Sequence, residues 1–236
     1  ICIIESIINL NKNINKFKIT VIIISIIDDS IDYVKKIFEN DYSGHDIFHT
    51  LRVYKTATNI ACKEKADILI VQLASLLHDV DDKKLSPLTY EHKDKTIKFL
   101  ESHKVDEIII NRICTIIDEV SFAGKDTIVP SSIEGKCVQD ADQLDAIGAI
   151  GIARAFAYGG SHNREIYLPD IEPKKDMNKE EYSKHISTTV NHFYEKLFLL
   201  KDMMNTQTAK TIAEHRDRYM KSYLRVIMEH LNGDCE

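Results

Sequence analysis

His49, the adjacent pair His78-Asp79, and Asp142 are four potential metal ligands spread over three predominantly apolar segments of a 236-residue chain. Imidazole nitrogens combined with carboxylate oxygens form a mixed donor set. Such a set suits Mn²⁺, Fe²⁺, Co²⁺ or Mg²⁺ better than a thiolate-preferring ion. Four protein donors leave room for water on an octahedral ion, and a water held there is a nucleophile.

Each donor also has a plainer reading. His45 and His49 are four apart and share one face of a predicted helix, where surface or capping histidines are common. His78-Asp79 closes an apolar helix; it is either a solvent-exposed C-terminal cap or a buried pair, and a buried carboxylate is costly without a partner. Asp140, Asp142 and Asp145 could favour a helix dipole. That accounts for Asp140 better than for the other two, because three carboxylates within six residues repel unless a cation or an Arg compensates.

Near these donors in sequence, His45 and Asp82 are the candidates for orientation or proton transfer. Lys83, His192, Lys196 and Arg154 are the candidate substrate contacts, each with the alternative of a surface charge or ion pair. On one continuous helix Arg154 would lie about 120° round from Asp142, placing it at the far end of a long substrate or in a structural ion pair. Tyr158, His162 and Arg164 fall at a polar break and could form part of a lid.

The elements that must hold these groups read as helices, with apolar residues at three- and four-residue spacing. Segment 28–41 carries Ile31, Val34, Ile37 and Phe38 on one face. Ser43 and Asp46, three apart, resemble a capping box for a helix to about Lys63. Residues 65–79 are nearly all apolar and predict a central buried helix. Two amphipathic helices follow at 91–103 and 105–118, then a loop at 120–136. Residues 137–158 predict one close-packing helix of small side chains, ended by Gly159-Gly160. The polar stretch 160–178 is long for a connector, and 179–230 predicts two helices split near Asn205-Thr206. The expected architecture is one all-α domain over 28–236, with residues 1–27 as an N-terminal extension.

Composition narrows the function. Net charge is −6, so the basic footprint of a nucleic-acid binder is missing. An anionic substrate would need a metal or locally gathered basic groups. Five cysteines at wide spacing, with no CxxC, indicate neither a disulfide framework nor a thiolate zinc site; a reducing cytoplasm is the simplest setting. The apolar run at 19–27 is too short to span a bilayer. The chain opens on Ile rather than Met, as a fragment would.

The stretches GHDIFHTLRV (44–53), LLHDV (76–80), QDADQLDAIGAIGIARAFAYGG (139–160) and HFYEKL (192–197) together resemble the HD-domain metal-dependent phosphohydrolases, in particular their YpgQ/YedJ-like group. The resemblance covers about residues 30–230, and the long third stretch is its most specific part. It implies an all-helical HD-domain bundle and a divalent ion on His49, His78, Asp79 and Asp142. That ion would be Mn²⁺, with Mg²⁺, Co²⁺, Ni²⁺ or Fe²⁺ as alternatives. It also implies hydrolysis of nucleoside triphosphates, deoxynucleotides included, releasing pyrophosphate by attack of a metal-bound water. The competing readings are a phosphomonoesterase or phosphodiesterase on another nucleotide, a non-catalytic nucleotide-binding module, and a metal oxygenase recruiting His92 or His103. The expected partner is a small phosphate ester or nucleotide, with no nucleic-acid polymer and no membrane. Oligomeric state is not fixed by the sequence.

Overall fold

The computed structural model describes residues 24–233, except 40–45, 83–85, 87, 125, 175, 179, 182–184 and 186. Their regular structure is helical, as expected, with no strand among the described residues.

The first helix, α1 (24–37), begins before the boundary expected at residue 28. Its buried face is Ile26, Ile27, Ser30, Val34 and, just beyond, Phe38, and the four apolar members join the common core. Positions 26 and 27 thus fall within the core, because the apolar spacing of α1 runs back through them. Whether residues 1–23 form an extension, or a strand, lies outside the described residues.

Helix α2 (Ile47–Glu64) is capped by Asp46, whose side chain accepts a hydrogen bond from the His49 backbone N–H at 2.7 Å. Asp46 is therefore the cap itself rather than the third residue of a capping box, and α2 begins after position 45. Val53, Ala57, Ile60 and Ala61 bury the stripe below His49. Two alanines in that stripe let α2 lie close to its main neighbours, α3 (Ile68–Leu77) and α6 (Ile133–Asp145).

Helix α3 is the central one: Ile70, Val71, Leu73, Ala74, Leu76 and Leu77 have at most 1% of their surface exposed. Each large side chain among them contributes about 1.5–3 kcal/mol by burial. Asp67 caps its start, and the chain leaves it in a turn at 78–81. The helix ends where its apolar run does.

Two amphipathic helices follow, α4 (Asp94–Ser102) and α5 (Glu107–Val120). Asp81 accepts the backbone N–H groups of Lys95 and Thr96, satisfying donors at the start of α4.

The single helix expected over 137–158 is two. α6 starts four residues earlier, at an N-cap formed by Ser132, and ends at Asp145. α7 (Gly148–Ser161) begins after a break at Ala146-Ile147. Gly148 takes φ +81 at this break, a conformation that costs other residues energy. The guanidinium of Arg216 donates to the Leu144 carbonyl there. Gly159 and Gly160 lie inside α7 rather than ending it. A Cβ on Gly159 would meet the Thr189 hydroxyl at 2.3 Å, so this glycine permits a close approach.

The short helix α8 (Thr189–His192) runs into a π-turn, Phe193–Leu197, and a 3₁₀ turn, Leu200–Met203. The long last helix, α9 (Gln207–Leu231), starts at the expected break, with Thr206 as its cap. Asp140 anchors that corner. Its oxygens accept the backbone N–H groups of Asn205 and Thr206, the Asn205 amide and the Thr206 hydroxyl, all at 2.7–2.9 Å.

Candidate metal centre

The start of α2, the end of α3 and the last turn of α6 meet at one point. The ligating atoms of His49, His78 and Asp79 lie within 4.8 Å of one another, and all three residues are buried. His49 Nε2 is 3.5 Å from Asp79 Oδ2 and 3.4 Å from Asp142 Oδ1. His78 Nε2 is 3.2 Å from Asp79 Oδ2 and 3.9 Å from Asp142 Oδ1. Asp142 is the most open of the four, its side chain 27% exposed.

Both imidazoles are oriented from behind. His78 Nδ1 lies 2.8 Å from the Ser75 carbonyl, which commits its proton there. His78 keeps helical backbone angles, φ −59 and ψ −33, and Asp79 follows it in the turn. His49 Nδ1 lies 2.7 Å from Asp145 Oδ2. Each histidine therefore presents Nε2 to the shared space.

The donors fit a divalent cation. His78 Nε2 is buried and makes no hydrogen bond, its 3.2 Å approach to Asp79 lacking the alignment of one. Two adjacent donors bonded to one ion at ~2.1 Å lie about 3 Å apart, close to these separations. The electrostatics agree. Burial disfavours a charged His49, but hydrogen bonds to Asp142, Asp145 and Asp79 outweigh it and hold the imidazole well above its usual range. Burial likewise opposes the charge on Asp142, and His49 and His78 overcome it and hold the carboxyl below the usual range. The carboxylates favour positive charge at this point. A divalent ion meets the same demand while requiring neutral imidazoles.

Asp145 also carries two arginines. Arg52 donates from Nε to Oδ1 at 2.6 Å and from Nη2 to Oδ2 at 3.0 Å. Arg154 donates from Nη1 to Oδ2 at 2.7 Å and sits 3.3 Å from His49 Nδ1. Arg154 thus forms the ion pair that was one of its two expected roles. The 120° offset does not apply, because the break at 146–147 swings α7 back toward the site. Asp145 and Arg52 were not assigned roles from the sequence. The signals available were the crowding of three carboxylates and the one-turn spacing of His49 and Arg52.

Asp82 follows the turn after α3, its backbone N–H donating to the Asp79 carbonyl at 3.1 Å. His45 and Lys83 lie outside the described residues. His192 ends α8, where burial, with the charges of Lys196 and Arg164 behind it, pushes its pKa down to about 3. Those three basic side chains therefore share one neighbourhood. Lys196 Nζ sits 4.6 Å above the Phe122 ring, and Tyr158 stacks on His162 at 3.8 Å beneath Arg164. Among the described residues no helix is long and apolar enough to cross a membrane.

The family model of the HD domain matches residues 47–147, the span holding all four donors. The chain is 38% identical over 211 residues to YpgQ of Bacillus subtilis, covering 85% of this chain and 91% of that protein. A crystal structure from Lactobacillus plantarum has a similar fold, with a TM-score of 0.78 at 38% identity over 89% of this chain and 98% of the other. An HD-superfamily hydrolase from Bacillus thuringiensis gives 0.70 at 42% identity over 87% and 96%. YpgQ in complex with ADP gives 0.69 at 34% identity over 89% and 96%. With likeness in sequence and in fold along most of its length, the chain belongs to the HD-domain metal-dependent phosphohydrolases, in their YpgQ-like group.

Proposed function

We propose that this protein is a nucleotide pyrophosphohydrolase that cleaves nucleoside triphosphates, deoxynucleotides included, into a monophosphate and pyrophosphate. The observation that carries the reading is the convergence of His49, His78, Asp79 and Asp142, with both histidines held so that Nε2 faces the carboxylates. These four would hold one divalent ion, Mn²⁺ by preference. When bound, such an ion lowers the pKa of a water and polarises a phosphoryl oxygen. A nucleotide is favoured as the substrate because the relative YpgQ has been crystallised with ADP.

The remaining work falls to the chain's own residues. Phosphoryl transfer needs positioning and charge neutralisation more than covalent chemistry, so no Ser or Cys nucleophile is required. A triphosphate brings several negative charges to a protein of net charge −6. Arg154, Lys83, His192 and Lys196 are the proposed phosphate contacts; Arg164, which shares the neighbourhood of the last two, adds to them. His45 and Asp82 are the proposed groups for orienting the attacking water and moving its proton.

Product analysis tests the proposal. With Mn²⁺ present, purified protein incubated with ribo- and deoxynucleoside triphosphates should release pyrophosphate and the monophosphate. Orthophosphate as the sole phosphate product would contradict it and indicate attack at a terminal phosphate.

A further inference from the structure

We infer that Asp145 is a positioning residue: it selects the tautomer of His49 that can bind a metal, and so sets how tightly the site holds a divalent ion. This rests on the metal-site reading above, in which Asp145 is no ligand.

Two of the described neighbours of His49 Nδ1 make opposite demands. Asp145 Oδ2, at 2.7 Å, can only accept a hydrogen bond, and Arg154 Nη1, at 3.3 Å, can only donate one. A neutral imidazole carries a single N–H. With that proton on Nδ1, the ring donates to Asp145 and Nε2 keeps its lone pair for an ion. With the proton on Nε2, Nδ1 would accept from Arg154. An N–H would then point toward Asp79 and Asp142, 3.5 and 3.4 Å away, and no lone pair would face the site. The shorter contact belongs to the carboxylate, so the first arrangement wins.

The carboxylate is itself held from two further directions. Arg52, one turn from His49 on α2, grips both oxygens at 2.6 and 3.0 Å. Arg154 reaches across from α7 at 2.7 Å. The Asp145 side chain is 6% exposed. These bonds offset the cost of burying its charge and leave it aimed at Nδ1. Three helices thereby fix one ring orientation. Arg154, if it also contacts substrate, leaves Arg52 to hold the carboxylate alone.

The test is calorimetric titration of metal-free protein with Mn²⁺ alone, on wild type, Asp145→Asn, Asp145→Glu, Arg52→Gln and Asp79→Ala, with thermal melting in EDTA to establish folding. The amide of Asp145→Asn can donate to Nδ1 and favour the wrong tautomer. Its affinity for Mn²⁺ should fall about 10–100-fold, the range for losing such an outer partner. Asp145→Glu restores the carboxylate and should recover part of the loss. Arg52→Gln leaves the carboxylate in place with one clamp removed and should show a smaller loss. That variant also carries the test if Asp145→Asn does not fold. Unchanged affinity in folded Asp145→Asn, or in Arg52→Gln when only it folds, overturns the inference. So does a lowered melting temperature in EDTA with affinity intact, because a merely structural role predicts that result. Wild-type affinity in Asp79→Ala overturns the metal-site reading itself, which keeps the two failures distinct.

Discussion

Two histidines and two aspartates brought together by α2, α3 and α6 make four His–Asp approaches of 3.2–3.9 Å, around a point where their charges call for a cation. His49, His78, Asp79 and Asp142 were legible because buried carboxylates and imidazoles are out of place in apolar helices unless something pairs with them. Asp145 was legible only as a demand: three carboxylates in six residues require compensation. Which cation supplies it depends on Arg52, 93 residues away, and local spacing carries no information about that pairing. Asp140 shows the limit from the other side. The sequence suggested a place near a helix start for it, yet α6 begins seven residues earlier, at Ile133, and Asp140 binds the Asn205-Thr206 corner. For the substrate, the prediction concerns Lys196, which is not one of the four donors. Removing a charge-assisted phosphate contact costs about 1.5–3 kcal/mol, or roughly ten- to a hundredfold in kcat/KM. Lys196→Ala should lose that much turnover of a deoxynucleoside triphosphate with Mn²⁺ affinity unchanged. Steady-state kinetics alongside metal titration checks this. Unchanged kcat/KM would place the phosphate tail elsewhere.

At the scale of elements, α2, α3 and α5 follow from apolar periodicity, and their ends fall within a few residues of those expected. The break between α6 and α7 does not. Residues 139–158 keep a helical pattern of small apolar side chains throughout, so nothing local interrupts it. Arg216 reaches the break from afar and donates to the Leu144 carbonyl, which also accepts the Ile147 N–H, and Gly148 at φ +81 permits the turn. Without the break Arg154 would point away from Asp145. A Cβ at position 148 would sit 3.0–3.2 Å from three Arg216 side-chain carbons, on a backbone conformation that costs an L-residue about 1–2 kcal/mol. Gly148→Ala should therefore lower the melting temperature by roughly 2–4 °C for each kcal/mol lost. An unchanged melt would show that the break is not under the control of this residue. The π-turn at Phe193–Leu197 was likewise invisible, because its apolar residues suit an α-helix equally well.

The molecule as a whole is acidic, and some of its basic groups are gathered locally. Arg52 and Arg154 gather on Asp145, and Arg164 and Lys196 gather around His192. Net charge could not say where the positive groups collect, since that follows from packing. The all-helical class was legible throughout, whereas the boundary at residue 28 was not. A change in composition marked it, while the core continues through Ile26 and Ile27. The family likeness covers most of the chain, so the account turns on whether its four donors act as one metal centre. The direct measurement is metal content and turnover of Asp79→Ala beside wild type, each stripped and then supplied with Mn²⁺, with helical content checked by circular dichroism. The account predicts one tightly held ion and triphosphate hydrolysis in wild type, and neither in a folded Asp79→Ala. Wild-type turnover by Asp79→Ala in the presence of added Mn²⁺ would contradict it.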